Sequence, residues 1–530
     1  MELSLRQHRT IGGCGLRSKV FRQVVQKDRR LAGASQELFV QHDGNRWGQG
    51  VRRDLCGVAL IPLPRSVCRT GGTSALRDDC PVTVTDAPHL PDEAYTLRIQ
   101  DGKAHIESSS EAGAFYARMT LGQIRTACGG KCDALVIRDA PVLPYRGFLI
   151  DSCRHFYGVD ELKRLIDAAA RFKLNKFHWH LTDDQGWRIE IRRYPMLTQI
   201  GAYRSNSCFG GVNEGIPHNG CFTQAQIREI VAYCAERCIE VIPEIDMPGH
   251  FTAAIAAYPF LGCTGEARQP QQKEGVFPNV LCVGNDRAVA FVREVLDEVC
   301  ELFPGQYVHI GGDETPRTHW RGCANCKAKC AQLGLSDFDA LQGSFIREIA
   351  SYLRQKGKTA ITWNESLRGG CLSAQDVIVQ RWMDRKNLCV DFTQAGGRLI
   401  ESDFYHYYFD YPYGMTPLRK AFAYNPFRTC APFGVEGALW TEYVRTFDDL
   451  CEKLFPRLLS VAERGWSGFP SRSFRDFRAA AQQQLQQMQI RTLPPPCWDP
   501  GTVKRLKETA MFFKGSLTPD LLRQMIENHK

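Results

Sequence analysis

Two adjacent carboxylates, Asp313 and Glu314, follow a glycine pair, Gly311-Gly312, at the end of the apolar run Tyr307–Ile310. In a regular strand, neighbouring side chains point to opposite faces. A Gly-Gly pair permits the backbone distortion that lets both carboxylates reach one site. Two carboxylates held close shift each other, so that one keeps its proton near neutrality. That is what a general acid requires. An isolated Asp-Glu pair is equally an ordinary exposed loop, so the reading depends on what else converges there.

Much else does. Asp151-Ser-Cys-Arg154-His155 follows one short apolar run, and His178-Trp-His180-Leu-Thr-Asp183-Asp184 forms the next. Further along come Glu244-Ile-Asp246-Met-Pro-Gly-His250, Trp363-Asn364-Glu365, Trp382, Tyr408-Phe-Asp410 and Trp440-Thr-Glu442. Eight apolar runs end on ionisable or aromatic residues, which points to a pocket. Carboxylates and one arginine suit a set of hydroxyl groups, and flat indoles suit the apolar face of a pyranose ring. The pattern therefore favours a sugar. A phosphate site would call for lysines and glycine nests. His178-x-His180 could supply two metal ligands from one face of a strand, or serve as packed, hydrogen-bonded histidines.

A fold that gathers strand ends is needed to assemble these groups. Strands are expected near Gly147–Asp151, Lys176–Thr182, Glu240–Ile245, Tyr307–Gly311, Ala360–Trp363, Val377–Gln380, Arg398–Glu401 and Gly434–Leu439. Amphipathic helices are expected between them, including Asp160–Phe172, the stretch capped by Thr223, Val289–Leu302 and Phe338–Arg354. Eight strands with crossover helices predict an α/β fold, a (β/α)8 TIM barrel over 141–466. A doubly wound open sheet is the alternative, but no Gly-rich phosphate loop opens the first helix. Before the barrel, 56–140 reads as a small α+β domain. It has a strand at 58–63, a hairpin across Asp101-Gly102-Lys103 and a helix over 111–126. Residues 467–530 read as a helical C-terminal extension on the outside of the barrel, and 1–55 as an unassigned basic segment.

Composition bounds the function. The chain has 530 residues, 43% hydrophobic and 24% charged, as a folded globular protein should. No run approaches the ~18 consecutive apolar residues of a transmembrane helix. Of the net charge of +9, residues 1–30 carry +6 (eight Lys or Arg against Glu2 and Asp28), so the body is no electrostatic nucleic-acid binder. No signal-peptide core is visible, so the expected compartment is the cytoplasm, or the periplasm or exterior if a leader is missing. The 22 cysteines are scattered, and without a secretory signal they read as mostly free thiols. The tightest group, Cys323-x2-Cys326-x3-Cys330, offers three of the four ligands of a structural zinc site, with Cys371 as a conceivable fourth.

At these residues the sequence resembles the family 20 glycoside hydrolases, the β-N-acetylhexosaminidases. The resemblance covers Leu60-Ile-Pro-Leu-Pro-Arg, Leu90-Pro-Asp-Glu-Ala-Tyr, Asp151-Ser-Cys-Arg-His-Phe and His178-Trp-His-Leu-Thr-Asp-Asp-Gln-Gly-Trp-Arg. It continues through Pro243-Glu-Ile-Asp-Met-Pro-Gly-His, His309-Ile-Gly-Gly-Asp-Glu and Leu439-Trp-Thr-Glu, across roughly 58–466. It implies a small α+β domain before a catalytic barrel, and an exo-acting enzyme that removes terminal β-linked GlcNAc or GalNAc from glycans without a cofactor. It also implies a retaining, substrate-assisted mechanism, an exception to the scheme of an enzymic carboxylate nucleophile.

The roles implied by the resemblance are these. Glu314 is the acid/base. Asp313 holds the acetamido N–H and Tyr408 its oxygen. Trp363, Trp382 and Trp440 wall the pocket, and Arg154, Asp410 and Glu442 bind hydroxyls. Asp183 and His250 form a relay behind Glu314, with His250 between the two carboxylates, and Asp246 organises that neighbourhood. The family's longer αβ segment between Leu63 and Leu90 is shortened here, and Tyr411–Phe427 lacks a tryptophan found at the rim in some bacterial members. Two alternatives stay open: a carbohydrate-binding protein without catalysis, and a lacto-N-biosidase or β-1,6-GlcNAc hydrolase. A chain that only bound sugar would be free to lose Glu314 or Tyr408, and both are present.

Overall fold

The computed structural model describes residues 59–516, with side chains through 513. The basic N-terminal segment and the chain after 516 lie outside the described residues. The first described elements form a five-stranded sheet: β1 Ser66–Ala75, β2 Val82–Asp86, β3 Tyr95–Gln100, β4 Lys103–Ser108 and β5 Lys131–Asp139, in the order β1-β5-β3-β4-β2. The hairpin β3–β4 turns at Asp101-Gly102, both at positive φ. A helix, Glu111–Cys128, covers one face. Ser110 caps its start by accepting from Gly113 N–H, and Gly129 ends it in the left-handed region.

The expected strand at 58–63 does not form over its described residues. Pro62 and Pro64 lack N–H donors, which bars this stretch from a ladder. Side chains satisfy it instead: the Gln123 amide pairs both ways with Ile61, and Glu463 accepts from Leu63 N–H at 3.0 Å.

The barrel is closed by eight parallel strands in sequential order. They are Tyr145–Asp151, Lys176–His180, Glu240–Glu244, Tyr307–His309, Thr359–Trp363, Ile378–Arg381, Leu399–Glu401 and Gly434–Leu439. Its helices carry the expected signals. Val159–Arg171 buries Leu162, Leu165, Ile166 and Ala169, and Gln224–Ala235 opens on a reciprocal Thr223–Gln226 capping box.

The interior is layered. Tyr145, Ile242, Ile361, Ile378 and Ile400 pack the amino-terminal end. A polar layer stands above, where Glu436 accepts from Tyr145 (2.5 Å) and Gln380 (2.6 Å) and meets His178 Nδ1 at 2.9 Å. Aromatic residues close the carboxyl end, with Leu149, Trp363 and Tyr408 packed against Trp382, Phe404, Tyr411 and Trp440.

Small domain and barrel share buried ion pairs. Arg146 of the first barrel strand reaches Glu93 at 2.7 Å, and Lys173 reaches Asp139 at 2.9 Å. The C-terminal extension contributes two described helices, Phe474–Leu485 and Thr502–Ser516. The first wedges between barrel and small domain: Gln484 donates to Ala59 O and Gln123 O and accepts from Arg171. The second sets Phe512 between Tyr411 and Tyr443, with ring centroids 5.2 and 5.1 Å apart. No helix of the described residues is long and apolar enough to cross a membrane.

Candidate active site

The fourth barrel strand stops at His309, and the chain leaves through Gly311 (φ 64°) and Gly312 (φ 103°). A Cβ on Gly311 would lie 1.6 Å from Asp246 Oδ1, and one on Gly312 would lie 2.1 Å from Ser366 Oγ. Both positions therefore need glycine for space as well as for φ. Glu314 itself sits at φ 37°, and its N–H donates to the Glu365 carboxylate. The distorted turn brings both carboxylates to one imidazole: His250 Nε2 is 3.7 Å from Asp313 Oδ2 and 3.6 Å from Glu314 Oε2.

The other ring nitrogen of His250 faces Asp183 (3.2 Å) and Asp184 (3.1 Å). Burial disfavours a charged imidazole, but Asp183 outweighs it and raises the His250 pKa well above the usual value. Asp183 is buried too, yet Arg154 and His250 hold its carboxyl far below the usual range. His250 thus stands between Asp183 and Asp184 on one side and the Asp313–Glu314 pair on the other, a setting that favours its charged form. Burial pushes Asp313 up to about 7, against the pull of His250. Its Oδ1 is buried and has no partner. The Glu314 side chain is 38% exposed, so the two neighbouring acids sit in different surroundings.

Trp363, Trp382, Tyr408 and Trp440 form an aromatic box. Trp363 and Tyr408 each lie 6.1 Å from Trp440 between ring centroids, and Trp382 stacks near Tyr408 at 6.2 Å and 24°. Glu244 fixes Trp363 by accepting from its Nε1 at 2.8 Å. The Trp382 Nε1 is buried without a partner. Tyr408 and Asp410 do not end the seventh strand, as the sequence suggested. That strand stops at Glu401, and Asp403 caps a short helix, Phe404–Tyr407, that carries the chain back to the barrel mouth. A bridge between Tyr408 and Ala438 of the eighth strand returns both residues to the pocket.

Arg154, Asp410 and Glu442 gather on one side. Arg154 pairs with Asp183 at 2.7 Å, Asp151 at 3.3 Å and Glu442 at 3.7 Å, and its guanidinium lies 5.3 Å from the Trp440 ring centre. Burial raises Glu442 to about 7 despite Arg154, and raises Asp410 to about 6 despite Lys453. Asp410 Oδ1 is a second buried oxygen without a partner. The residues expected at the site thus converge on one barrel mouth.

Sequence reasoning assigned no role to Glu244, which organises the centre. It meets His180 at 2.5 Å, His309 at 2.9 Å and His178 at 3.1 Å. Its signal was the two-residue spacing of Glu244 and Asp246 at a strand end, which puts both on the inward face. Asp246 Oδ1 accepts from Gly312 N–H at 3.4 Å and so supports the turn beneath Asp313. Glu365 was also missed, because its partner is a backbone N–H far away in sequence. His178 hydrogen-bonds Glu436 and lies 3.1 Å from Glu244, and His180 hydrogen-bonds both Glu244 and Asp183 within the barrel.

The cysteine expectation needs correction. Cys330 lies 3.8 Å from Asp337 O, and Cys371 lies 3.3 Å from Ala340 O, so neither completes a cluster with Cys323 and Cys326. The thiols that join those two are Cys263 and Cys282. Cys263, Cys282, Cys323 and Cys326 are free thiols.

Fold and site define a class, the (β/α)8-barrel glycosyl hydrolases with a carboxylate pair at the strand ends. Within that class, the chain belongs to glycosyl hydrolase family 20. The family's catalytic domain matches residues 143–469, and its domain 2 matches 82–140. The chain is 38% identical over 424 residues to a beta-hexosaminidase of Porphyromonas gingivalis, covering 75% of this chain and 53% of that protein. It is 35% identical over 410 residues to a beta-hexosaminidase of Vibrio furnissii, covering 71% and 66%. The chain thus spans only part of the length of these relatives. A mutant Streptomyces plicatus beta-hexosaminidase solved with its product GlcNAc superposes with a TM-score of 0.72 at 28% identity, covering 84% of this chain and 97% of that one.

Proposed function

We propose that this protein is an exo-acting, retaining β-N-acetylhexosaminidase that removes terminal β-linked GlcNAc or GalNAc from glycans. One observation carries the reading. The buried, unpartnered Asp313 oxygen sits beside an aromatic box, next to a second carboxylate that is solvent-accessible. A 2-acetamido group fits that arrangement: its methyl packs among indoles while its N–H donates to Asp313.

The reaction then needs no enzymic nucleophile. The acetamido oxygen attacks the anomeric carbon as the bond to the leaving oxygen breaks, and Glu314 gives that oxygen its proton. Asp313 orients the acetamide and stabilises the positive charge of the resulting oxazolinium ion, while Tyr408 hydrogen-bonds the attacking oxygen. Glu314, now a carboxylate, takes a proton from water as that water attacks the same carbon and restores the acetamide. The His250 cation, backed by Asp183, compensates the charge left on Glu314. Arg154, Asp410 and Glu442 take up the ring hydroxyls. Arg154 pairs with Glu442 at 3.7 Å while Asp410 keeps a buried oxygen without a partner, a polar wall that suits the hydroxyls of a terminal sugar.

Paired aryl β-glycosides, one with a 2-acetamido group and one with a 2-hydroxyl, test this directly. Rapid cleavage of the acetamido substrate alone is expected. Equal cleavage of both overturns the roles of Asp313 and Tyr408, and cleavage of neither overturns the activity on simple terminal sugars.

A further inference from the structure

The four thiols of Cys263, Cys282, Cys323 and Cys326 lie within 4.8 Å of one another. The separations given by the structure are 3.6 Å (Cys282–Cys323), 3.7 Å (Cys282–Cys326) and 3.9 Å (Cys263–Cys326). Four sulfurs bound to zinc at about 2.3 Å stand about 3.8 Å apart along each edge of the tetrahedron. A disulfide would bring two of them to about 2.05 Å. Cys282, Cys323 and Cys326 are 1%, 9% and 0% exposed. We propose that these four cysteines form a structural tetrathiolate zinc site that fastens the loop after the third barrel strand to the loop after the fourth.

The surroundings are built for such a site. Cys323 is the N-cap of the helix Ala324–Gln332, so the positive end of that helix faces sulfur. The Cys282–Gly284 turn and the Cys323-x2-Cys326 turn also pack backbone to backbone: a Cβ on Gly284 would lie 2.3 Å from the Asn325 carbonyl carbon. Binding exchanges four thiol protons for one Zn²⁺ and leaves a site of charge −2, which the helix end offsets.

The position gives the site a purpose. Leu281 N–H donates to Pro248 O at 2.8 Å, next to the turn that holds His250. Trp320 Nε1 donates to Leu281 O at 2.9 Å from the loop that leaves Glu314. The ion would thus hold together the two loops that set His250 against the carboxylate pair. It is a positioning element and touches no reacting atom. The proposal stands whether or not the activity proposed above is correct.

The test is elemental analysis of the full-length chain, purified under reducing conditions without added metal or chelator. One equivalent of zinc per chain is expected, released when an organomercurial titrates the thiols. Replacement by Co²⁺ should give the intense visible bands of a tetrahedral thiolate site. Cys330→Ser and Cys371→Ser should keep the metal, and Cys326→Ser should lose it. If Cys326→Ser does not fold, the wild-type stoichiometry and the cobalt spectrum decide. Metal-free folded protein, disulfides among these four cysteines, or retention of zinc in folded Cys326→Ser would overturn the proposal.

Discussion

Asp313 and Glu314 are neighbours in sequence with opposite surroundings, and their substitution should separate their roles. Glu314→Gln should slow substrates with poor leaving groups by about 10²-fold or more, because only they need protonation. Activated aryl substrates should lose far less. Measurement of kcat/KM along a series of leaving groups checks this, and equal losses count against Glu314 as the acid. Asp313→Asn should slow both kinds by about 10²–10³-fold, since the acetamide must be oriented whatever the leaving group. The hydroxyl-binding carboxylates make a different prediction. Burial raises Glu442 from 4.5 to about 7 and Asp410 from 3.8 to about 6. A carboxyl that binds its proton more tightly when folded adds stability below its unfolded pKa, and that stability is lost as pH rises through the folded value. Melting temperature should therefore fall between about pH 4 and about pH 7 from this source, and Glu442→Gln with Asp410→Asn should flatten the fall. An unchanged slope in the double variant would remove these residues from the account.

At the scale of elements, the decisive piece is the short fourth strand and its glycine turn. Gly312→Ala introduces a Cβ where φ is 103° and Ser366 Oγ is 2.1 Å away. A stability loss of about 1–3 kcal/mol is expected from backbone strain alone. Activity should fall further, by about 10²-fold, because an error of about 1 Å in Asp313 disrupts the attack geometry. Denaturant midpoints and kcat/KM on the same preparation separate the two effects. The seventh strand teaches a related lesson. Tyr408 and Asp410 reach the mouth through a capped helical turn and one bridge to the eighth strand. Their contribution to the site was legible from residue type, but their route was not, because a short capped helix has too few residues to show a period.

Across the whole molecule, small domain and barrel are joined by buried charge. Arg146 is fully buried and relies on Glu93 across the junction at 2.7 Å. Removing one partner strands a buried cation. Glu93→Ala should thus cost about 3 kcal/mol in the unfolding free energy. A single unfolding transition should remain, read by near-UV and far-UV circular dichroism together. Two separated transitions in the wild type would show that the small domain melts on its own.

The sequence by itself determined the eight-strand alternation, the hairpin and helix of the small domain, and the residues of the barrel mouth. Those features rest on local periodicity and on polar residues at strand ends, which a linear chain displays. The prolines that abolish the strand expected at 58–63 were visible too, but the side chains that satisfy its backbone, Gln123 and Glu463, lie far along the chain. Only the tertiary structure decided the rest. Glu244 became the hub of three histidines, Glu365 the acceptor for Glu314, and Cys263 with Cys282 the companions of Cys323 and Cys326 in place of Cys330. Each of these depends on which strands and loops become neighbours when the barrel closes, and spacing along the sequence does not encode that distance.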